Sequence, residues 1–228
     1  MLYRKDKEKL NIWIGLLNLE NSYGDQESMN KVLENALKYN EPKNIYLQLA
    51  SIYDLSDKYD NANEIYQIML KKFKQDKTVS IEYLIFLMKN KKIDLGRKQF
   101  QKTLLSLNKR DHVDVISKFA QLEFKFGDIE QAKTIFEQML ATYVKRLDQW
   151  SIYIDMLVKY TMNHNNIDTI EYIRNIFERL ISLKYSPERM RFIFKKYYDF
   201  EEKFNPDNTE ILDRIKQKAL DFVEKNIF

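Results

Sequence analysis

Two histidines, 34 carboxylates and 38 basic side chains are the groups with which this 228-residue chain could do chemistry. His112 follows Asp111 near the start of a helical stretch, and His164 is expected in the loop Asn163-His164-Asn165-Asn166. A general base needs an orienting partner, and a metal site needs ligands at fixed spacing. The two imidazoles lie in separate parts of the chain, so no pair of histidines forms a helix-borne ligand set. The absence of cysteine removes disulfides, thiolate metal ligands and cysteine nucleophiles together. The four glycines, Gly15, Gly24, Gly96 and Gly127, are isolated and make no phosphate-cradling loop. The acids are spread over amphipathic stretches, where solvated helix faces need them in any case. The expectation is a chain with no catalytic residues, no metal and no cofactor.

The cations are more informative. Residues 71–110 carry twelve basic and three acidic side chains, a net of +9, in a chain whose total is +4. Lys71, Lys72 and Lys74 lead into this segment, Lys89, Lys91 and Lys92 crowd its middle, and Arg97, Lys98 and Lys102 recur at helical spacing. Such a cluster suits a phosphate backbone or an acidic protein segment; the bland reading is a solubilising face. Lysine outnumbers arginine here, and arginine is the more specific phosphate ligand, which weighs against RNA.

What must position these residues is a repeat. Trp13, Tyr46, Tyr83, Ile116, Trp150 and Phe194 anchor one helix series at spacings of 33, 37, 33, 34 and 44. Leu33, Tyr66, Phe100, Phe136 and Phe177 anchor a second, at 33, 34, 36 and 41. The two series keep step, with apolar residues at three- and four-residue intervals inside each stretch, as in Phe119, Leu122 and Phe126. Periods of this length belong to solenoids of the tetratricopeptide type. The expected fold is an all-α α-solenoid of about six antiparallel helical hairpins, in one repeat domain over 1–228. The hairpins fall at about 6–40, 42–74, 77–108, 111–143, 146–184 and 186–228. With few Gly and Pro and no long uncharged apolar run, neither a sheet nor a membrane span is expected.

Punctuation fits that count. Asp25, Asp60, Asp94 and Asp128 stand where N-caps of second helices belong. Gly127 is placed to end a helix in the left-handed conformation, with Gln131 in capping-box position beyond Asp128. Ser186-Pro187-Glu188 opens a helix and Pro206 follows one. The polar last hairpin has the character of a capping repeat. Trp13, Tyr46, Tyr83, Phe119, Trp150 and Tyr153 are expected in the core rather than as base-stacking platforms, and Phe177 is a structural repeat position. Glu20, Glu123 and Glu201 each stand seven residues after an anchor, and their recurrence predicts a hydrogen bond to a neighbouring hairpin.

These anchors carry a resemblance. Trp150-Ser151-Ile152-Tyr153, Trp13 with Glu20, Ala132-Lys133-Thr134-Ile135-Phe136-Glu137 and Ile173-Arg174-Asn175-Ile176-Phe177-Glu178-Arg179 are similar to the half-a-tetratricopeptide (HAT) repeat of RNA-processing factors. Leu157 departs from that pattern where a Glu is usual, and Leu16 where a Tyr is. Longer strings, Glu8–Asn21, His112–Phe124, Trp150–Met156 and Phe194–Glu201, resemble the C-terminal region of a family of large pre-ribosomal RNA-processing factors. The resemblance implies a HAT/TPR-like superhelix from a longer nucleolar protein whose S1-type RNA-binding domains precede this region. It further implies a scaffold role in ribosome biogenesis, with partners among proteins of the small-subunit precursor particle, or alternatively precursor ribosomal RNA through the basic hairpin, and no membrane.

Overall fold

The computed structural model describes residues 2–164 and 167–227. Over these the chain is all-helical, with twelve helices joined as antiparallel hairpins in an α-solenoid arrangement. The first helices of the hairpins are α1 (Leu2–Tyr23), α3 (Pro42–Leu55), α5 (Lys77–Lys89), α7 (Lys109–Phe126), α9 (Leu147–His164) and α11 (Pro187–Phe204). The second helices are α2 (Gln26–Tyr39), α4 (Tyr59–Lys72), α6 (Ile93–Ser106), α8 (Ile129–Thr142), α10 (Ile167–Ser182) and α12 (Thr209–Ile227). His164 closes α9 rather than lying in a loop, and the rest of the expected loop, residues 165 and 166, lies outside the described residues. No described helix is long and apolar enough to cross a membrane.

The chain forms two compact units, residues 1–135 and 136–228. In the first, Leu17, Met29, Tyr46, Leu49, Tyr66, Met69 and Tyr83 belong to one buried cluster, and Leu84, Met88, Phe100, Val115 and Phe119 to another. In the second, Phe136, Trp150, Tyr153, Phe177 and Tyr197 are fully or almost fully buried. One contact recurs in both units. The aromatic anchor of a second helix stacks on the residue three places after the anchor of the next first helix. Phe100 meets Phe119 at 4.1 Å, Phe136 meets Tyr153 at 4.7 Å and Phe177 meets Tyr197 at 4.6 Å between centroids. Each stack adds about 0.5–1.5 kcal/mol beyond the area it buries. Trp13 is only partly buried; it packs against the first cluster, with its ring 6.3 Å from that of Tyr39.

The turns sort by length. The three-residue turns after α3 and α5 are Schellman caps, with Asp57 at φ 57° and Lys91 at φ 59° in the left-handed region. In each, the next N–H reaches back five residues, Lys58 to the Tyr53 carbonyl and Lys92 to that of Leu87, both at 2.9 Å. Asp60 and Asp94 therefore enter the first helical turn, where they complement the helix dipole; Lys58 and Lys92 occupy the N-cap positions. The two-residue turns after α1 and α7 keep Asp25 and Asp128 as caps, accepting from the Ser28 and Glu130 N–H groups at 2.8 Å. Gly127 has φ −113°, so a left-handed backbone is not what requires glycine there.

Lys184, before α11, is the third non-glycine residue at positive φ, 49°. A β-carbon there is strained by about 1–2 kcal/mol, partly offset by the extra freedom that glycine brings to the unfolded chain. Lys184→Gly is expected to stabilise by about 0.5–1 kcal/mol, and Asp57→Gly by less, because Asp tolerates this region better. Urea midpoints of the two variants check both the sign and the order.

A basic helix face and the ion pairs that flank it

Hydrogen bonds and ion pairs divide the nine candidate cations. Lys72 donates to the Tyr46 hydroxyl at 2.9 Å. Lys89 pairs with Asp54 at 2.8 Å, beside an Asn90 amide on the same carboxylate, tying the α5–α6 turn to the end of α3. Lys92 lies over the Tyr59 ring at 5.3 Å. Arg97 makes a two-pronged pair with Glu123, Nε to Oε1 at 2.8 Å and Nη2 to Oε2 at 3.0 Å. Each of these four makes an intramolecular contact, although Lys72, Lys89 and Lys92 are exposed as well. Lys71, Lys74, Lys91, Lys98 and Lys102 are exposed.

Two of the exposed lysines share a helix face with exposed leucines. Leu95, Lys98, Lys102 and Leu105 recur at three and four residues along α6, so their side chains form one stripe. Leu95 is 51% and Leu105 89% exposed. The opposite side of α6 buries Phe100 and Thr103. Sequence reasoning found the lysines and missed the leucines. Counting charge does not find them; the signal was their helical phase relative to the buried Phe100.

Two of the repeated glutamates are buried. Glu123 is 1% and Glu201 0% exposed. Glu123 joins α7 to the second helix of the preceding hairpin through Arg97. Glu201 does the same through Arg174 of α10, at 2.7 Å to Nε and 2.9 Å to Nη2. This is the expected bond to a neighbouring hairpin, with arginine as the partner. The Glu201 carboxylate holds the Arg174 guanidinium protonated even above the usual arginine range, and Glu123 acts on Arg97 in the same direction. Glu20 instead accepts from the Ser28 hydroxyl inside its own hairpin.

Glu123 also explains Gly127. Its Oε2 accepts from the Asp128 N–H at 3.1 Å, taking the role expected for Gln131. A β-carbon on Gly127 would lie 2.0 Å from that oxygen and 3.3 Å from the Glu123 Cα. Gly127→Ala therefore expels the carboxylate from both the Asp128 amide and Arg97. The expected loss is about 2–3 kcal/mol, the scale of a hydrogen bond to a charged group left unmade. In a Glu123→Ala background the same substitution should cost well under half of that, and denaturant unfolding of the four variants measures the difference.

The histidines are placed as helix-end residues. A ring nitrogen of His112 lies 3.1 Å from the Leu107 carbonyl, and one of His164 lies 3.0 Å from that of Tyr160. Among the described residues no three His, Asp or Glu side chains converge as a metal ligand set would.

Comparison with known proteins adds to this geometry. A family model described as the PRP39 N-terminal HAT repeat matches residues 113–226, half of the chain. The chain is 47% identical over 222 residues to the protein named RRP5 homolog in Mus musculus, and equally to that in Homo sapiens, in each case over 97% of this chain. It is 39% identical over 224 residues, 98% of its length, to the rRNA biogenesis protein rrp5 of Schizosaccharomyces pombe. The chain spans only 11% of the two mammalian relatives and 13% of the fission-yeast one.

Proposed function

The chain belongs to the HAT-repeat family, and from that premise we propose that it is the helical-repeat region of a larger RRP5-type rRNA biogenesis protein, where it acts as a non-catalytic docking scaffold. Its place is the nucleolus, and its partners are proteins of the small-subunit precursor particle, in the branch that matures 18S rRNA. The S1-type domains implied by the resemblance would carry the main RNA contacts of the parent protein, leaving this region to fasten it to the particle. The whole of 1–228 serves as one repeat array.

The observation that carries this reading is the α6 stripe of Leu95, Lys98, Lys102 and Leu105. Exposed leucines offer an apolar anchor, and lysines between them offer steering and register. That combination suits an acidic amphipathic segment of a protein. A phosphate backbone gains nothing from leucine, and one of the segment's two guanidiniums, Arg97, is bound to Glu123. The alternative, direct precursor-RNA binding through residues 71–110, draws on Lys71, Lys74 and Lys91.

The test is capture of the chain on purified small-subunit precursor particles lacking the parent protein. Binding that survives nuclease trimming of accessible RNA supports protein docking. Binding that disappears on trimming, and falls steeply with salt beforehand, supports the RNA reading instead. No binding at low salt defeats both.

A further inference from the structure

The turn into α11 carries a motif that the docking reading leaves unused. Ser186-Pro187-Glu188-Arg189 is the one place in the 228 residues where proline follows a serine or threonine; Pro42 follows Glu41, and Pro206 follows Asn205. Proline-directed serine kinases demand this proline, which has no N–H to leave unpaired in their cleft and holds the acceptor in extended backbone. Those of the cyclin-dependent class also favour a basic residue at the third place after the acceptor, where Arg189 stands. Ser186 has φ −58° and ψ 153°, and all four residues of the motif are exposed. The irregular backbone that presents it, residues 183–186, is tethered by Tyr185, whose hydroxyl donates to the Val144 carbonyl at 2.8 Å.

As it stands, this helix start is poorly capped. Ser186 is the N-cap residue, yet its hydroxyl makes no capping bond, whereas Asp25 and Asp76 both accept from the helices they open. A reciprocal cap needs an acceptor three residues on. Ser28 supplies it for Asp25, accepting from the Asp25 N–H at 3.1 Å. At Ser186 that place holds Arg189, which can only donate. Its guanidinium makes no ion pair or hydrogen bond among the described residues.

A phosphate would reverse the mismatch. It brings three acceptor oxygens and about −1.5 to −2 charges to the Arg189 guanidinium and to the positive end of α11. The N–H groups of Glu188 and Arg189 lie ahead of the first helical bond, from the Met190 N–H to the Ser186 carbonyl at 2.9 Å, and point at the same place. Glu188 and Arg189 also line an open cavity of about 620 Å³ with Lys145 and Arg146, just before α9. Arg146 and Asp148 neutralise each other at 2.7 Å, so Lys145 and Arg189 outweigh Glu188 and the added charge meets a positive surround.

We propose that Ser186 is a phosphorylation site for a proline-directed serine kinase of the cyclin-dependent class, and that Arg189 holds the resulting phosphate at the head of α11. In the transfer, Ser186 Oγ attacks the γ-phosphorus of ATP. The Oγ–P bond forms as the bond from that phosphorus to the β–γ bridging oxygen breaks, ADP leaves, and the hydroxyl proton passes to the kinase's carboxylate base. The proposal is independent of which partner the α6 stripe takes.

The test incubates the full-length parent protein with a purified cyclin-dependent kinase and ATP, and maps phosphopeptides by mass spectrometry. Phosphate is expected on Ser186, and Pro187→Ala should slow its incorporation by about tenfold or more. Hydrogen exchange then reads the role of Arg189. Phosphorylation should slow exchange in the first turn of α11 by about threefold to tenfold, and Arg189→Gln, phosphorylated to completion, should lose most of that protection. The parent protein isolated from dividing cells should carry the same phosphoserine. An unmodified Ser186 in either preparation overturns the site, as does equal incorporation in Pro187→Ala. Exchange unchanged by phosphorylation, or slowed equally in Arg189→Gln, overturns the role given to Arg189.

Discussion

Replacing Arg174 by methionine is expected to destabilise the unit formed by residues 136–228 by about 3–5 kcal/mol, the range for breaking a buried ion pair by removing one partner. The size comes from what is left behind. Glu201 has 0% of its surface exposed and loses both charge-assisted bonds at once, keeping the Asn205 amide at 3.2 Å. Removing both partners leaves no stranded charge. Arg174→Met combined with Glu201→Leu should therefore recover most of the loss, and a double-mutant cycle from urea unfolding checks this. A double variant as unstable as Arg174→Met alone would show that the pair is not the cause. Arg97→Met should follow the same pattern with a smaller effect. The Arg97 side chain is 39% exposed, against 20% for Arg174, so solvent already screens its pair with Glu123.

The second large effect falls on binding. Changing Lys98 and Lys102 to Glu and Leu105 to Ser should weaken capture on small-subunit precursor particles by about 30- to 1000-fold, corresponding to about 2–4 kcal/mol from one apolar anchor and two reversed charges. None of the three side chains is used by the fold. Leu105 is 89% exposed and both lysines point to solvent, so unfolding midpoints should stay within about 0.5 kcal/mol of the parent. Reversal of Lys71 and Lys74 serves as the contrast. If that pair lowers binding as much as the α6 variant does, a diffuse cationic surface is at work and the specific stripe is refuted.

The charge census overcounted the available cations of residues 71–110. Twelve basic residues look alike along the sequence, while the folded chain engages Lys72, Lys89, Lys92 and Arg97 in contacts with its own side chains. Partners such as Arg97 and Glu123 are 26 residues apart, a separation at which no local rule connects them. Gly127 shows the same limit at short range. The residue was readable as a helix stop, but its reason is a carboxylate folded over it, visible only once the side chain of Glu123 is placed.

Helical periodicity is a local property, and so the sequence by itself determined the all-helical fold, the hairpin count and the aromatic register of the core. Residues at three- and four-residue spacing share a face whatever surrounds them, which is why Phe119, Trp150 and Tyr153 could be assigned to the interior in advance. Whether a given face is covered is not local. Ile12 and Val115 occupy the same repeat position, yet one is 63% exposed and the other fully buried, because a preceding hairpin covers that face of α7 and none of the described residues covers the Ile12 face of α1. Only the tertiary structure decided that difference. It also assigned the buried glutamates to arginines of neighbouring hairpins and left the α6 stripe facing solvent.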